Sequence, residues 1–142
     1  MLATSTGTTG RLFEWSVLGA GLATPSCEYM PFRGAMNLAR RLAAWDPTDP
    51  ESRQASDLHA YVCESLDVGV DEVRFYSALG TVLDTFHGVD GWFEWRGRVV
   101  TIDLTANEHK DRCRADVMIR PEHLDDDGGK EIAIRIASFL RL

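Results

Sequence analysis

The sequence has 142 residues, 44% of them apolar and 26% charged, which suits one domain that builds its own core without disulfide staples. Its 15 basic and 22 acidic residues give a net charge of −7, which excludes a protein that coats nucleic acid by charge alone. No window approaches the roughly 18 uninterrupted apolar residues of a membrane helix, so no membrane partner is expected.

Residues 1–10 are rich in Ser, Thr and Gly and lack both parts of a signal peptide, so they read as a flexible arm. Residues 11–23 read as a first helix, with Leu12, Phe13, Val17, Leu18 and Leu22 at helical spacing. The prolines of 24–33 make a loop. A second helix is predicted over 34–45 through Met36, Leu38, Leu42 and Trp45. Asp49 as N-cap and Pro50 in the first turn start a third, running to about Leu66. The apolar stretch Val73 to Leu79 fits either strand or helix.

From there the pattern turns to strands. Val89 to Trp95 and Val99 to Thr105 are β-branched and aromatic runs around Arg96-Gly97, a hairpin signal. A further strand is expected over Arg114 to Arg120, then an acidic loop, then a last helix from about Gly129 to Leu140. Together these predict a single α/β domain: the arm (1–10), a first core helix (11–23), a helical insertion (28–70), and the hairpin, third strand and final helix (85–142). Cys27, Cys63 and Cys113 form an odd set at unrelated spacings, which reads as reduced thiols in a cytoplasmic protein.

If Arg96 and Gly97 are the two turn residues, Phe93 faces Val100, Gly91 faces Ile102, and Asp90 lies opposite Asp103. A one-residue slip would put the two aspartates on opposite faces. Directly opposed side chains have Cβ atoms about 5 Å apart, and two carboxylates at that distance repel by roughly 3 kcal/mol at an effective dielectric of 20. Either a divalent cation bridges them, since Mg²⁺ prefers hard carboxylate oxygens, or the charges splay into water on a polar face.

The segment His87-Gly88-Val89-Asp90-Gly-Trp-Phe-Glu, then Val-Val-Thr-Ile-Asp103-Leu-Thr105, resembles the core of the PD-(D/E)XK, or restriction-endonuclease-like, nuclease superfamily. Its members place one Asp early in a strand, an Asp or Glu on the next, and a Lys two residues later. Many open with a helix bearing an early Glu, to which Gly10-Arg11-Leu12-Phe13-Glu14 is similar. The resemblance covers 9–23 and 85–140. It implies a restriction-endonuclease-like core of helix, three-stranded antiparallel-containing sheet and helix. It also implies Mg²⁺ or Mn²⁺ on Asp90, Asp103 and Glu14, aided by the Leu104 carbonyl, and hydrolysis of DNA or RNA phosphodiesters. The usual Lys position is Thr105, and Lys110, seven residues after Asp103, is the replacement candidate. The superfamily's fourth strand after the second helix has no counterpart in this order of elements.

Arg96, Arg98, Arg112 and Arg114 are expected as a local basic patch suited to phosphate contact, with Trp92 and Thr105 on the carboxylate face. Trp92 either stacks on a base or packs across the strands. His109 and Cys113, at i, i+4, have no second ligand pair for zinc. The acidity of the chain makes a protein partner or a homodimer part of the nuclease reading. The alternative is a catalytically inactive nuclease-like fold that serves as a binding or assembly module for a protein partner.

Overall fold

A computed structural model describes residues 11–19, 28–43, 45–107, 109–110 and 113–142 (of 126–128 the backbone only). The expected arm 1–10, and also Cys27 and Arg112, lie outside them. Four strands, β1 (Arg74–Ser77), β2 (Gly91–Trp95), β3 (Arg98–Leu104) and β4 (Val117–Ile119), form one sheet in the order β1-β2-β3-β4. The first three run antiparallel and β4 joins β3 parallel. The protein is therefore mixed α/β with a four-stranded mixed sheet. The three-stranded expectation is corrected by β1, where Phe75 and Tyr76 are buried on opposite faces.

The hairpin register is the expected one: Phe93 faces Val100 and Gly91 faces Ile102. Arg96 (φ 51) and Gly97 (φ 77) both take positive φ, as a type I′ turn demands. The last rung differs. The Asp90 N–H donates to the Ile102 carbonyl at 2.8 Å, so Asp90 and Gly91 both address one residue of β3. This two-against-one arrangement bends the strand as a bulge does, and Asp90 sits just ahead of β2 rather than squarely opposite Asp103.

Helices cover both faces of the sheet. On one side lie α1 (11–18), α3 (Arg53–Leu66) and α5 (Asp126–Arg141), and their apolar stripes join Phe75, Phe93, Val100, Ile102, Leu104, Val117 and Ile119 in the larger core. On the other, α2 (Phe32–Arg41) and α4 (Val82–His87) pack Ala35, Met36, Ala39, Val82 and Leu83 on Tyr76, Val89 and Trp92. Aromatic pairs hold β1 to β2 on each face: Phe75 stacks on Phe93 (4.0 Å) and Tyr76 on Trp92 (4.6 Å). Within the block 28–70, α3 packs in the main core through Leu58, Val62 and Leu66. Among the described residues no helix is long and apolar enough to cross a membrane.

Several boundaries move for local reasons. The first helix runs over 11–18 and stops at Gly19, which takes φ 80; residues 20–23 of the expected helix lie outside the described ones. The second runs from Phe32 to Arg41, not 34–45, which frees the Trp45 indole to donate to the Phe75 carbonyl at 2.7 Å. Ser52, not Asp49, caps α3, its Oγ accepting from the Ala55 N–H at 3.0 Å, whereas the Asp49 N–H closes a turn on the Asp46 carbonyl. The short α4 has no counterpart among the expected elements. A 3₁₀ turn (Pro121–Leu124) precedes α5.

β4 begins at Val117 rather than Arg114. Asp116 halts pairing by bonding Thr101 reciprocally: its Oδ2 accepts from the Thr101 N–H (2.9 Å) and its own N–H donates to Thr101 Oγ1 (2.9 Å).

Candidate functional site

At the open end of the hairpin, the ends of β2 and β3 meet α1, α4 and the loop after β3. Gly91 makes this junction. A Cβ there would stand 2.7 Å from the Tyr76 carbonyl oxygen and 3.4 Å from Leu18 of α1, so only glycine admits both neighbours. The same packing carries Glu14, one turn earlier on α1, into the electrostatic field of the hairpin acids.

Asp90 is only 4% exposed, and its Oδ2 accepts from the Leu104 N–H at 2.7 Å. The Leu104 group that meets Asp90 is therefore the amide. Loss of water, then the neighbouring Glu14 charge, push the Asp90 carboxyl up to about 10, with Asp103 and Asp84 adding to the effect and the Leu104 amide opposing it. Asp103 is buried on β3, and its Oδ2 accepts from the Lys110 Nζ at 2.5 Å. Burial pushes half-buried Glu14 up to about 7, helped by the charges of Asp84 and Asp103, while Arg11 and Lys110 act in the opposite sense.

Lys110 shows which effect wins at a cation. Burial alone would lower its pKa, but the Asp103 hydrogen bond and the charges of Asp103 and Asp90 outweigh that, and the net shift is upward. The ammonium stays charged. Its loop is braced by the Arg120 guanidinium, which donates to the Lys110 carbonyl, and the Arg120 N–H in turn donates to His123 Nδ1 at 2.9 Å.

Lys110 bonds Asp103, Asp90 bonds the amide of the next residue, Leu104, and the Glu14 charge acts on Asp90, so the four form one electrostatic cluster. Asp84 belongs to it and is missed by sequence reasoning. It lies on the unexpected α4, where its Oδ2 accepts from the Gly80 N–H at 3.0 Å, and only tertiary packing sets its charge beside Glu14 and Asp90. Arg120 escapes sequence reasoning for the same reason.

Other expectations part from the structure. Trp92 is fully buried, stacked on Tyr76 with its indole donating to Glu94 Oε1 at 3.1 Å, so it packs and offers no face to a base. Thr105 is buried; its N–H donates to the Ile119 carbonyl and its hydroxyl accepts from the Asn107 N–H, which spends it on the turn after β3. Arg96 and Arg98 sit at the turn of the hairpin. Five residues of strand put Arg98 about 16 Å from Asp103, so these arginines do not flank the acids, and Arg96 lies over the Trp95 ring instead. Arg114 lies against the turn two residues before Asp90: its side chain passes 3.9 Å from where a Gly88 Cβ would lie, and its guanidinium donates to the Phe86 carbonyl.

Asp90 and Asp103 present hard oxygens of the kind a dication takes, and the buried Asp90 carboxyl holds a proton that such an ion would displace. Among the described residues, however, no three His, Cys, Asp or Glu side chains stand close enough to enclose an ion as they are arranged. A hollow of about 490 Å³ lies elsewhere, lined by Ser16, Arg53, Gln54, Asp57, Leu124 and Asp125, and contains none of the cluster. The two aspartates of the cluster are buried at the sheet end, and Lys110 is its partly open member.

Compared with family models, curated proteins and solved structures, the chain finds no match.

Proposed function

We propose that this protein is a metal-dependent phosphodiesterase of the restriction-endonuclease-like kind, acting on DNA or RNA. One observation carries the reading: Lys110 pairs with Asp103 while Asp90 bonds the amide of the next residue, Leu104, so two carboxylates and a cation meet at the end of the hairpin with the Glu14 charge acting on Asp90. The sheet order supports it further, with an Asp-bearing hairpin beside a helix that carries an early Glu.

Asp90 and Asp103, with Glu14, are the residues that would hold Mg²⁺ or Mn²⁺. When bound, such an ion supplies an activated water and neutralises charge on the scissile phosphate. The chain's own groups do the rest. Lys110 holds a charged ammonium at the rim, where it meets a phosphate oxygen. Glu14, half-buried beside the two aspartates, would add a third carboxylate to the ion's ligands. Burial of Asp90 fixes its position through the Leu104 amide.

A second reading, the inactive module that binds a protein partner, is favoured by one feature: the Lys110–Asp103 pair closes on itself and, among the described residues, no three acids enclose an ion. Cleavage assays on single- and double-stranded DNA and RNA, in Mg²⁺ and in Mn²⁺, divide the two. The enzyme reading expects cleavage that Asp103→Asn abolishes. No cleavage of any of these substrates by folded protein, or an unchanged rate in Asp103→Asn, overturns it and leaves the module.

A further inference from the structure

Three residues before Asp90, the C-terminal end of α4 carries an aromatic cluster. Tyr29 meets Phe86 edge-on at 5.6 Å and His87 at 5.7 Å, and Phe32 meets His87 edge-on at 5.5 Å. The His87 Nε2 donates to the Met30 carbonyl at 2.7 Å, which pins the segment before α2 against α4 and fixes the rings in place. Yet Tyr29 is 64% exposed and Phe32 46%. Two large rings gathered on one histidine and left in water make an exposed apolar patch of the kind that marks a binding surface.

The charges around the rings indicate what binds there. The Arg114 guanidinium donates to the Phe86 carbonyl at 3.1 Å, and the stem of the same side chain runs past Gly88, two residues before Asp90. Exposed Arg33 comes directly after Phe32, and exposed Glu28 is the one acid adjoining Tyr29 in sequence. Rings, then a cation, then the carboxylates, thus succeed one another along a short path, since three residues of extended chain span at most about 11 Å. Aromatic faces beside cations match a flexible strand that offers unpaired bases and phosphates, and a duplex keeps its bases stacked inside.

We infer that Tyr29, Phe32 and Arg114 form a docking surface for single-stranded nucleic acid, Tyr29 and Phe32 stacking on bases and Arg114 meeting a phosphate as the strand enters the acidic cluster. This deepens the proposed function, and rests on it for the cleavage of the bound strand.

The test measures binding apart from cleavage. Fluorescence anisotropy of labelled dT12 in EDTA is read for the wild type, Tyr29→Ala, Phe32→Ala, the double variant, Tyr29→Trp and Arg114→Gln, with Ile134→Ala as a surface control. Wild-type protein should bind dT12, and each lost ring should weaken binding about 5-fold or more, with Tyr29→Trp retaining it. Arg114→Gln should lower the salt dependence by about one phosphate contact. No wild-type binding, or equal binding by the double variant and the wild type, overturns the surface. So does a double variant whose only change is loss of a dimer in size-exclusion chromatography, which would make the rings a self-association face. Binding that behaves as expected, with no cleavage in Mg²⁺ or Mn²⁺, refutes the nuclease reading and leaves the surface standing. Cleavage that persists undiminished in the double variant refutes the surface and leaves the nuclease.

Discussion

The Lys110 ammonium lies 2.5 Å from Asp103 Oδ2, although seven residues of chain separate the two. The residue two positions after Asp103, where the resembled pattern has its lysine, is Thr105, buried and bonded into the turn. The loop after β3 therefore brings to Asp103 a cation that the strand itself does not supply. Lys110→Met should leave the buried Asp103 carboxylate without its side-chain partner. Because Lys110 is partly open to water, the expected loss of stability is about 1 kcal/mol, read by urea unfolding. Any cleavage activity should fall about 100-fold, because a preorganised positive charge is lost. A variant as active as the wild type would remove Lys110 from the site.

Burial of Asp90 gives a prediction with a definite sign. Its folded pKa of about 10 lies above the ordinary 3.8, so the folded state holds a proton that the unfolded chain releases. Stability linked to this group is therefore greatest below the unfolded value and falls as pH rises toward the folded one. Asp90→Asn keeps an acceptor for the Leu104 amide and removes the titration. It should raise stability by about 2–4 kcal/mol at pH 7, with a larger gain at pH 8 than at pH 5. Glu14→Gln should act in the same direction between about pH 4.5 and 7, though more weakly because Glu14 is only half-buried. Thermal melts of the three proteins from pH 5 to 9 test this; a less stable Asp90→Asn at pH 8 would mean the carboxylate is charged and held by something else.

Much of the fold is legible in the sequence because the hairpin specifies itself. The alternation around Arg96-Gly97 sets the register, and the stripe Ile132, Ala133, Ile136, Ala137 and Leu140 sets the buried face of α5. Local pattern does not reveal the bulge at Asp90, which depends on a hydrogen bond to Ile102 on the next strand. Nor does it reveal the six-residue α4, too short for a periodic signal, and with it Asp84. In the site, Glu14, Asp90 and Asp103 are readable as residue types at plausible spacing. Trp92 reads as a binding candidate only because alternation gives a face, and the cover that α2 and α4 place over that face is a tertiary fact.

Gly91→Ala probes the junction that brings α1 to the hairpin. The added methyl would lie 2.7 Å from the Tyr76 carbonyl oxygen, a backbone atom fixed by the β1–β2 ladder, and would press on Leu18. Neither neighbour yields without moving β1 or α1. The expected destabilisation is about 2–4 kcal/mol, as for other overpacked core sites. The position of Glu14 should change with it, so the pH dependence assigned to Glu14 should weaken in the same variant. Retention of full stability would show that α1 does not pack as described.

Ion binding should register in stability as well as in activity. A dication that engages Asp90, Asp103 and Glu14 must displace protons from the two carboxyls whose pKa values are raised, so its apparent affinity climbs with pH, most steeply below the Glu14 value near 7, where both protons must leave. An ion present at 100 times its dissociation constant adds about 2.7 kcal/mol to the folded state. For a chain of this size that is roughly 5–10 °C in melting temperature. Mn²⁺ or Mg²⁺ at millimolar concentration should therefore raise the melting temperature at pH 8, do so less at pH 6, and have no effect on an Asp90→Asn, Asp103→Asn double variant. Ca²⁺ should stabilise as well, since it takes the same oxygen ligands. If melting temperature at pH 8 is indifferent to all three ions, the acids are held by protons and Lys110 alone, and the cluster is a structural or partner-binding one.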